Sequence, residues 1–128
     1  MTIYFHEKDI PNEIEFEGSV AIDTETMGLK TNRDRLCLIQ ISPGNGDAHL
    51  LKIDNSKLNT TQKYKNLKKI LQNKKILKIF HFARFDLAAL NFYVCKVEGN
   101  IWCTKIASKL SRTYTNKHGL SDLTRELL

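Results

Sequence analysis

The sequence predicts a mixed α/β layer fold in one domain. Two observations predict it. Apolar runs of strand length dominate the first half of the chain, and helix-period stripes dominate the second. At 128 residues and 41% hydrophobic content, the chain can build one core and leaves little room for a second domain.

The elements follow in order. Residues 3–5 suggest a short edge strand. Residues 19–23 (SVAID) form an apolar run bounded by a charged segment and a turn, so a buried strand is expected. A loop over residues 28–34 leads to a second apolar strand at 36–42 (LCLIQIS). Residues 43–47 (PGNGD) signal a turn, and 48–53 read as the returning strand. Then the period changes. Tyr64, Leu67, Ile70 and Leu71 form one helix stripe, with lysines opposite. Residues 76–82 (ILKIFHF) return to strand character. Residues 84–92 read as a helix with Phe85, Ala88, Ala89 and Phe92 on its apolar side. Residues 103–110 read as another, through Ile106, Ala107 and Leu110. Gly119 opens a last helix in which Leu120, Leu123, Leu127 and Leu128 share a face. Its stripe runs to the final residue without a glycine cap or polar tail, so the chain is expected to be a fragment or a shortened product.

Composition narrows the function. No stretch approaches the ~18–20 apolar residues that span a bilayer, and no signal-peptide pattern opens the chain. A soluble, cytoplasmic protein with no membrane partner is expected. Cys37, Cys95 and Cys103 lack clip spacing and read as reduced, buried thiols. The net charge of +6 favours a polyanionic partner. The lysines crowd positions 63, 65, 68, 69, 74, 75 and 78, and the plain reading is the solvated face of a helix. Trp102 and the phenylalanines are expected in the core, and His81 as a half-buried histidine at a strand end.

The strongest local signal is Asp23-Thr24-Glu25-Thr26 at the end of a strand. Side chains two apart on a strand share a face, so Asp23 and Glu25 should project together. Carboxylates so close repel unless a cation neutralises them, and hard oxygen donors suit Mg²⁺ or Mn²⁺. Two solvated acids opening a turn are the alternative. Asp86 lies in the first turn of an expected helix, where the helix dipole alone would favour a negative charge.

Together these segments resemble a known family. Residues 20–29 (VAIDTETMGL) resemble the first motif of the DEDD superfamily of 3′→5′ exonucleases. Residues 33–40 (RDRLCLIQ) resemble the segment that follows it in ribonuclease D. Residues 78–87 (KIFHFARFDL) resemble the second motif. Residues 103–108 (CTKIAS) and 118–123 (HGLSDL) resemble the helical region before the third. The likeness covers nearly the whole chain, in order.

The resemblance implies a ribonuclease H-like fold, a mixed β-sheet flanked by helices. It implies a metal-dependent 3′→5′ exoribonuclease that hydrolyses single-stranded RNA 3′ ends with two divalent ions, Mg²⁺ or Mn²⁺. Asp23 would bridge both metals, Glu25 would bind the first, and Asp86 would act mainly through metal-bound water. Thr24 and Thr26 would lie beside the terminal nucleotide, with turn hydrogen bonding as the alternative. Leu29 would wedge against the last base, with core packing as the alternative. Phe82 and Phe85 complete the candidate nucleic-acid contacts.

The chain departs from the family twice. Phe82 stands where the second motif usually carries asparagine. The third motif, a tyrosine or histidine with an aspartate about four or five positions on, is missing. Tyr64, Tyr93 and Tyr114 have no such aspartate, Tyr4 has Asp9 five positions on but precedes the first motif, and the His118–Asp122 pair falls in the segment before that motif. Two other readings therefore remain: a non-catalytic remnant with weak nucleic-acid binding, and a DNA-directed proofreading-type exonuclease. RNA is preferred on the ribonuclease D resemblance.

Overall fold

The computed structural model describes residues 1–54 and 63–128. Strands β1 (Thr2–His6), β2 (Ser19–Thr26), β3 (Leu36–Ser42), β4 (Asp47–Lys52), β5 (Leu77–Phe80) and β6 (Ile101–Cys103) form one mixed sheet, ordered β1-β4-β3-β2-β5-β6. β3 runs antiparallel to its neighbours β2 and β4, while β1 pairs parallel with β4, and β5 with β2 and β6. Helices are α1 (Lys65–Gln72), α2 (Ala83–Tyr93), α3 (Thr104–Ser111) and α4 (Leu120–Leu127).

The expected strands form because their apolar residues alternate onto one covered face. Val20, Ile22, Ile39, Ile41, Leu51 and Phe80 are buried with Leu67, Ile70 and Leu71 of α1 and Ala89 and Leu90 of α2. The central β2 extends through the carboxylates to Thr26, three residues beyond the apolar run. The register with β3 shifts between Glu25 and Thr26, where Thr26 pairs with Leu36 and Cys37 is passed over.

α1 has no cap of its own. Asp9 supplies one from far upstream, its carboxylate accepting the Asn66 and Leu67 N–H groups at 2.9 and 3.1 Å.

Several expectations need correction. α2 does not bury the Phe85–Ala88–Ala89–Phe92 side. It buries Ala83, Asp86, Ala89 and Leu90, and Phe92 is exposed. The rotation brings a carboxylate inward instead of a phenyl ring. β5 stops at Phe80, because Phe82 already takes a left-handed backbone as the cap of α2. α3 and α4 form where expected, yet Ile106, Leu110, Leu120, Leu127 and Leu128 are exposed, and only Ser108 and Leu123 of these helices are buried. Trp102 is exposed on the edge strand β6, which sequence pattern did not reveal. The three cysteines are free but only half-buried.

Lys78 is the largest departure. It is fully buried, not part of a solvated face. Its Nζ donates to the Asn73 carbonyl at 2.5 Å and the Glu98 carbonyl at 2.6 Å, so it closes the C-terminal end of α1 against the loop before β6. Burial pushes its pKa down, opposed by Glu98. Lys65, Lys69, Lys74 and Lys75 are exposed, as a solvated face requires.

Candidate active site

β2 sorts the motif onto two sides of the sheet. Asp23 and Glu25 are exposed on one face, and Thr24 points to the covered face. The expected pairing of Asp23 with Glu25 on one face is therefore met. Gln40, opposite Asp23 on β3, reaches Asp23 Oδ2 through Nε2 at 3.4 Å. This partner had no sequence signal beyond the alternation of β3.

Thr24 connects the motif to α2. Its hydroxyl donates to Asp86 Oδ1 at 2.7 Å, although 62 positions separate the two residues. Asp86 is 2% exposed. Burial pushes its carboxyl up to about 6. The Thr24 hydrogen bond opposes that shift, and the nearby Asp23 carboxylate adds to it. The helix dipole at the start of α2 is thus not enough to keep this group an ordinary acid.

His81 follows β5 on the side of Asp23. The observed pairing Ala21↔Ile79 between parallel strands places position 81 beside position 23 two residues on. Both residues line a groove of about 440 Å³ with Gln40, Thr104 and Leu120. His81 Nδ1 lies 2.9 Å from Thr104 Oγ1, and Thr104 in turn donates to the Phe80 carbonyl. Burial and Lys105 push the His81 pKa down, against Asp23 and the His118 backbone. His118 is buried and bonds Ser108 Oγ at 2.8 Å, within a network that continues through Arg112 to Glu126.

The other candidates divide. Thr26 is half-buried and donates to the Gly28 carbonyl at 2.6 Å, so both threonine hydroxyls are occupied within the chain. Leu29 is 84% exposed and does not pack in the core. Its loop is locked beneath the tip. Asp34, 8% exposed, accepts the Lys30 N–H at 2.9 Å and the Arg33 guanidinium at 2.6 and 2.8 Å. A Cβ at Gly28 would stand 2.4 Å from Asp34 Oδ2, so any larger residue there must displace that carboxylate. Phe82 is exposed and Phe85 half-buried.

The donors are carboxylates, which suit a hard divalent ion. Asp23 and Glu25 share a face, but Asp86 is held back by Thr24. Among the described residues no three His, Cys, Asp or Glu side chains stand close enough together to hold a metal. The chemistry of the donor set fits a cation; the three side chains are not gathered around one point.

The 3′-5′ exonuclease family profile matches residues 1–128. The chain belongs to this family. The expected DEDD membership and ribonuclease H-like fold stand. Among solved structures, Brucella melitensis NrnC bound to pGG is 50% identical, with a TM-score of 0.92, covering 100% of this chain and 61% of that one. The same protein with bound Mg²⁺ is also 50% identical, with a TM-score of 0.90, covering 99% and 62%. Escherichia coli RNase D, an exoribonuclease involved in structured RNA processing, shares the fold at 24% identity and a TM-score of 0.65, over 86% of this chain and 28% of that one. No curated protein matches the chain. The chain spans about three fifths of the NrnC chains it matches.

Proposed function

We propose that this exonuclease-family chain carries the carboxylates of a metal-dependent 3′→5′ exoribonuclease that acts on single-stranded RNA ends. The Thr24–Asp86 hydrogen bond carries the reading. It ties the Asp-x-Glu strand to a carboxylate on α2, and Asp23 is near enough to help raise the Asp86 pKa. Burying a carboxyl beside another carboxylate is costly and clusters at functional sites.

Exonucleases of this superfamily depend on divalent metal. When bound, such an ion would neutralise phosphoryl charge and activate water. Asp23 and Glu25 would hold it from β2, with Asp86 behind them. Gln40 steadies Asp23, and Thr24 fixes the rotamer of Asp86. Leu29 would meet the terminal base from its locked loop. The binding of Mg²⁺ and of pGG by NrnC supports both a divalent cofactor and an RNA-like ligand.

The test uses 5′-labelled single-stranded RNA with Mg²⁺ or Mn²⁺. A ladder shortening from the 3′ end, abolished by EDTA and by Asp23→Ala, is expected. No cleavage by folded protein would favour the reading in which this chain only binds. Preference for a 2′-deoxy end would favour the DNA-directed alternative.

A further inference from the structure

Among the described residues, two other than glycine hold a left-handed backbone: Tyr64 at φ 57° and Phe82 at φ 68°. Each stands just before a helix, α1 and α2 respectively. A bulky side chain is strained in that region and stays there only when something compensates. For Tyr64 the compensation is visible. It is 5% exposed within the core, and its hydroxyl accepts the Asp54 N–H at 2.7 Å.

For Phe82 the return is in the backbone alone: its carbonyl accepts the Phe85 N–H at 3.1 Å and its N–H faces the Cys103 thiol. Its residue is 48% exposed and takes no part in the core cluster. Its ring carries Lys105 Nζ at 4.6 Å from the centroid. Phe82 lies one turn before Asp86. Lys105 follows Thr104, the partner of His81 in the groove that contains Asp23. An asparagine would tolerate this backbone better than phenylalanine does. Those backbone bonds do not call for a phenyl side chain, so the exposed ring is left to be explained.

We infer that Phe82 and Lys105 form a stacking platform for an unpaired nucleobase next to the carboxylates, an inference that rests on the exonuclease reading above. Every base offers a π-face, so one aromatic ring recognises single-strandedness without reading sequence. Lys105 sits on the ring and adds positive charge for the neighbouring phosphate. The platform takes frayed or single-stranded ends and discriminates against paired ones, whose bases are already stacked.

The experiment measures fluorescence anisotropy of the chain with a short labelled single-stranded RNA in Ca²⁺, beside thermal melts. Phe82→Asn should raise Tm by a few degrees while weakening RNA binding about tenfold. Phe82→Trp should bind within about twofold of wild type, and Lys105→Gln should bind more weakly with a shallower salt dependence. An RNA with an abasic 3′-terminal nucleotide should lose about the same factor on wild type and nothing further on Phe82→Asn. If wild type binds and trims RNA but Phe82→Asn binds equally well, the platform is wrong and the exonuclease reading stands. A fall in Tm for Phe82→Asn overturns the platform as well, because the ring would then be structural. A wild-type chain that neither binds nor trims RNA refutes both.

Discussion

Asp86→Asn separates the cost of a buried carboxylate from its use. In the metal-free protein Asp86 is 2% exposed, and its carboxyl is pushed from 3.8 up to about 6, chiefly by burial. A folded pKa above the unfolded value means that the folded state binds the proton more tightly. This group therefore supports the fold fully below about pH 3.8, and that support is lost as pH rises through about 6. At neutral pH the charged form works against folding. The shift corresponds to about 3 kcal/mol at about 1.4 kcal/mol per unit, and relaxation around the charged form should lower this to about 1–2 kcal/mol. Asparagine removes the charge and keeps an oxygen for the Thr24 hydroxyl. Asp86→Asn should thus raise Tm by about 5 °C in EDTA near pH 7.5 and by almost nothing near pH 4. Scanning calorimetry reads both. Mg²⁺ should then stabilise wild type more than the variant, because only wild type offers the cation this carboxylate. A lower Tm for Asp86→Asn in EDTA at neutral pH, or an equal gain at both pH values, would refute the reasoning.

Other consequences are equally direct. Lys78→Met should cost about 2 kcal/mol in urea unfolding, since two part-buried carbonyls lose their donor while the ion's desolvation cost disappears. Gly28→Ala should displace Asp34 and destabilise the loop by about 1–3 kcal/mol, visible as exposure of the loop to limited proteolysis. Cys103 should alkylate before Cys95 at neutral pH, as mass spectrometry of iodoacetamide-treated protein would show. Burial alone would raise the Cys103 thiol, but the backbone N–H groups of Ala83, Ile106, Phe82 and Lys105 together hold it below the usual range, whereas burial raises Cys95. Asp23→Ala should reduce RNA cleavage by at least about a hundredfold without unfolding the protein, since Asp23 is exposed and bonded only to Gln40 among the contacts seen.

The strands were legible because alternation and turn residues act locally. Residues 36–42 form β3 to the residue, and Asn45 and the glycines beside it form the turn that the sequence signals. The face of α2 was not legible. Hydrophobic periodicity assumes that apolar groups go inside, and here Asp86 goes inside on the strength of Thr24. The lysine run misled at position 78 for the same reason: two carbonyls, set by tertiary structure, satisfy a buried ammonium. β6 is three residues long with two exposed, too short to show a period. At the site, the Asp23–Glu25 pair followed from strand geometry alone. Gln40 and Thr104 did not, because each acts through the register between strands or the approach of a helix. The left-handed backbone at Phe82 was not legible, because a phenylalanine carries no signal for that conformation and only the dihedral angle shows it.

The most direct test of the central claim is mass spectrometry of the products released when the chain is incubated with a defined single-stranded RNA and Mg²⁺. The account predicts nucleoside 5′-monophosphates and a parent RNA shortened one residue at a time from its 3′ end, with neither product formed by Asp23→Asn. Internal fragments, shortening from the 5′ end, or equal products from Asp23→Asn would contradict it.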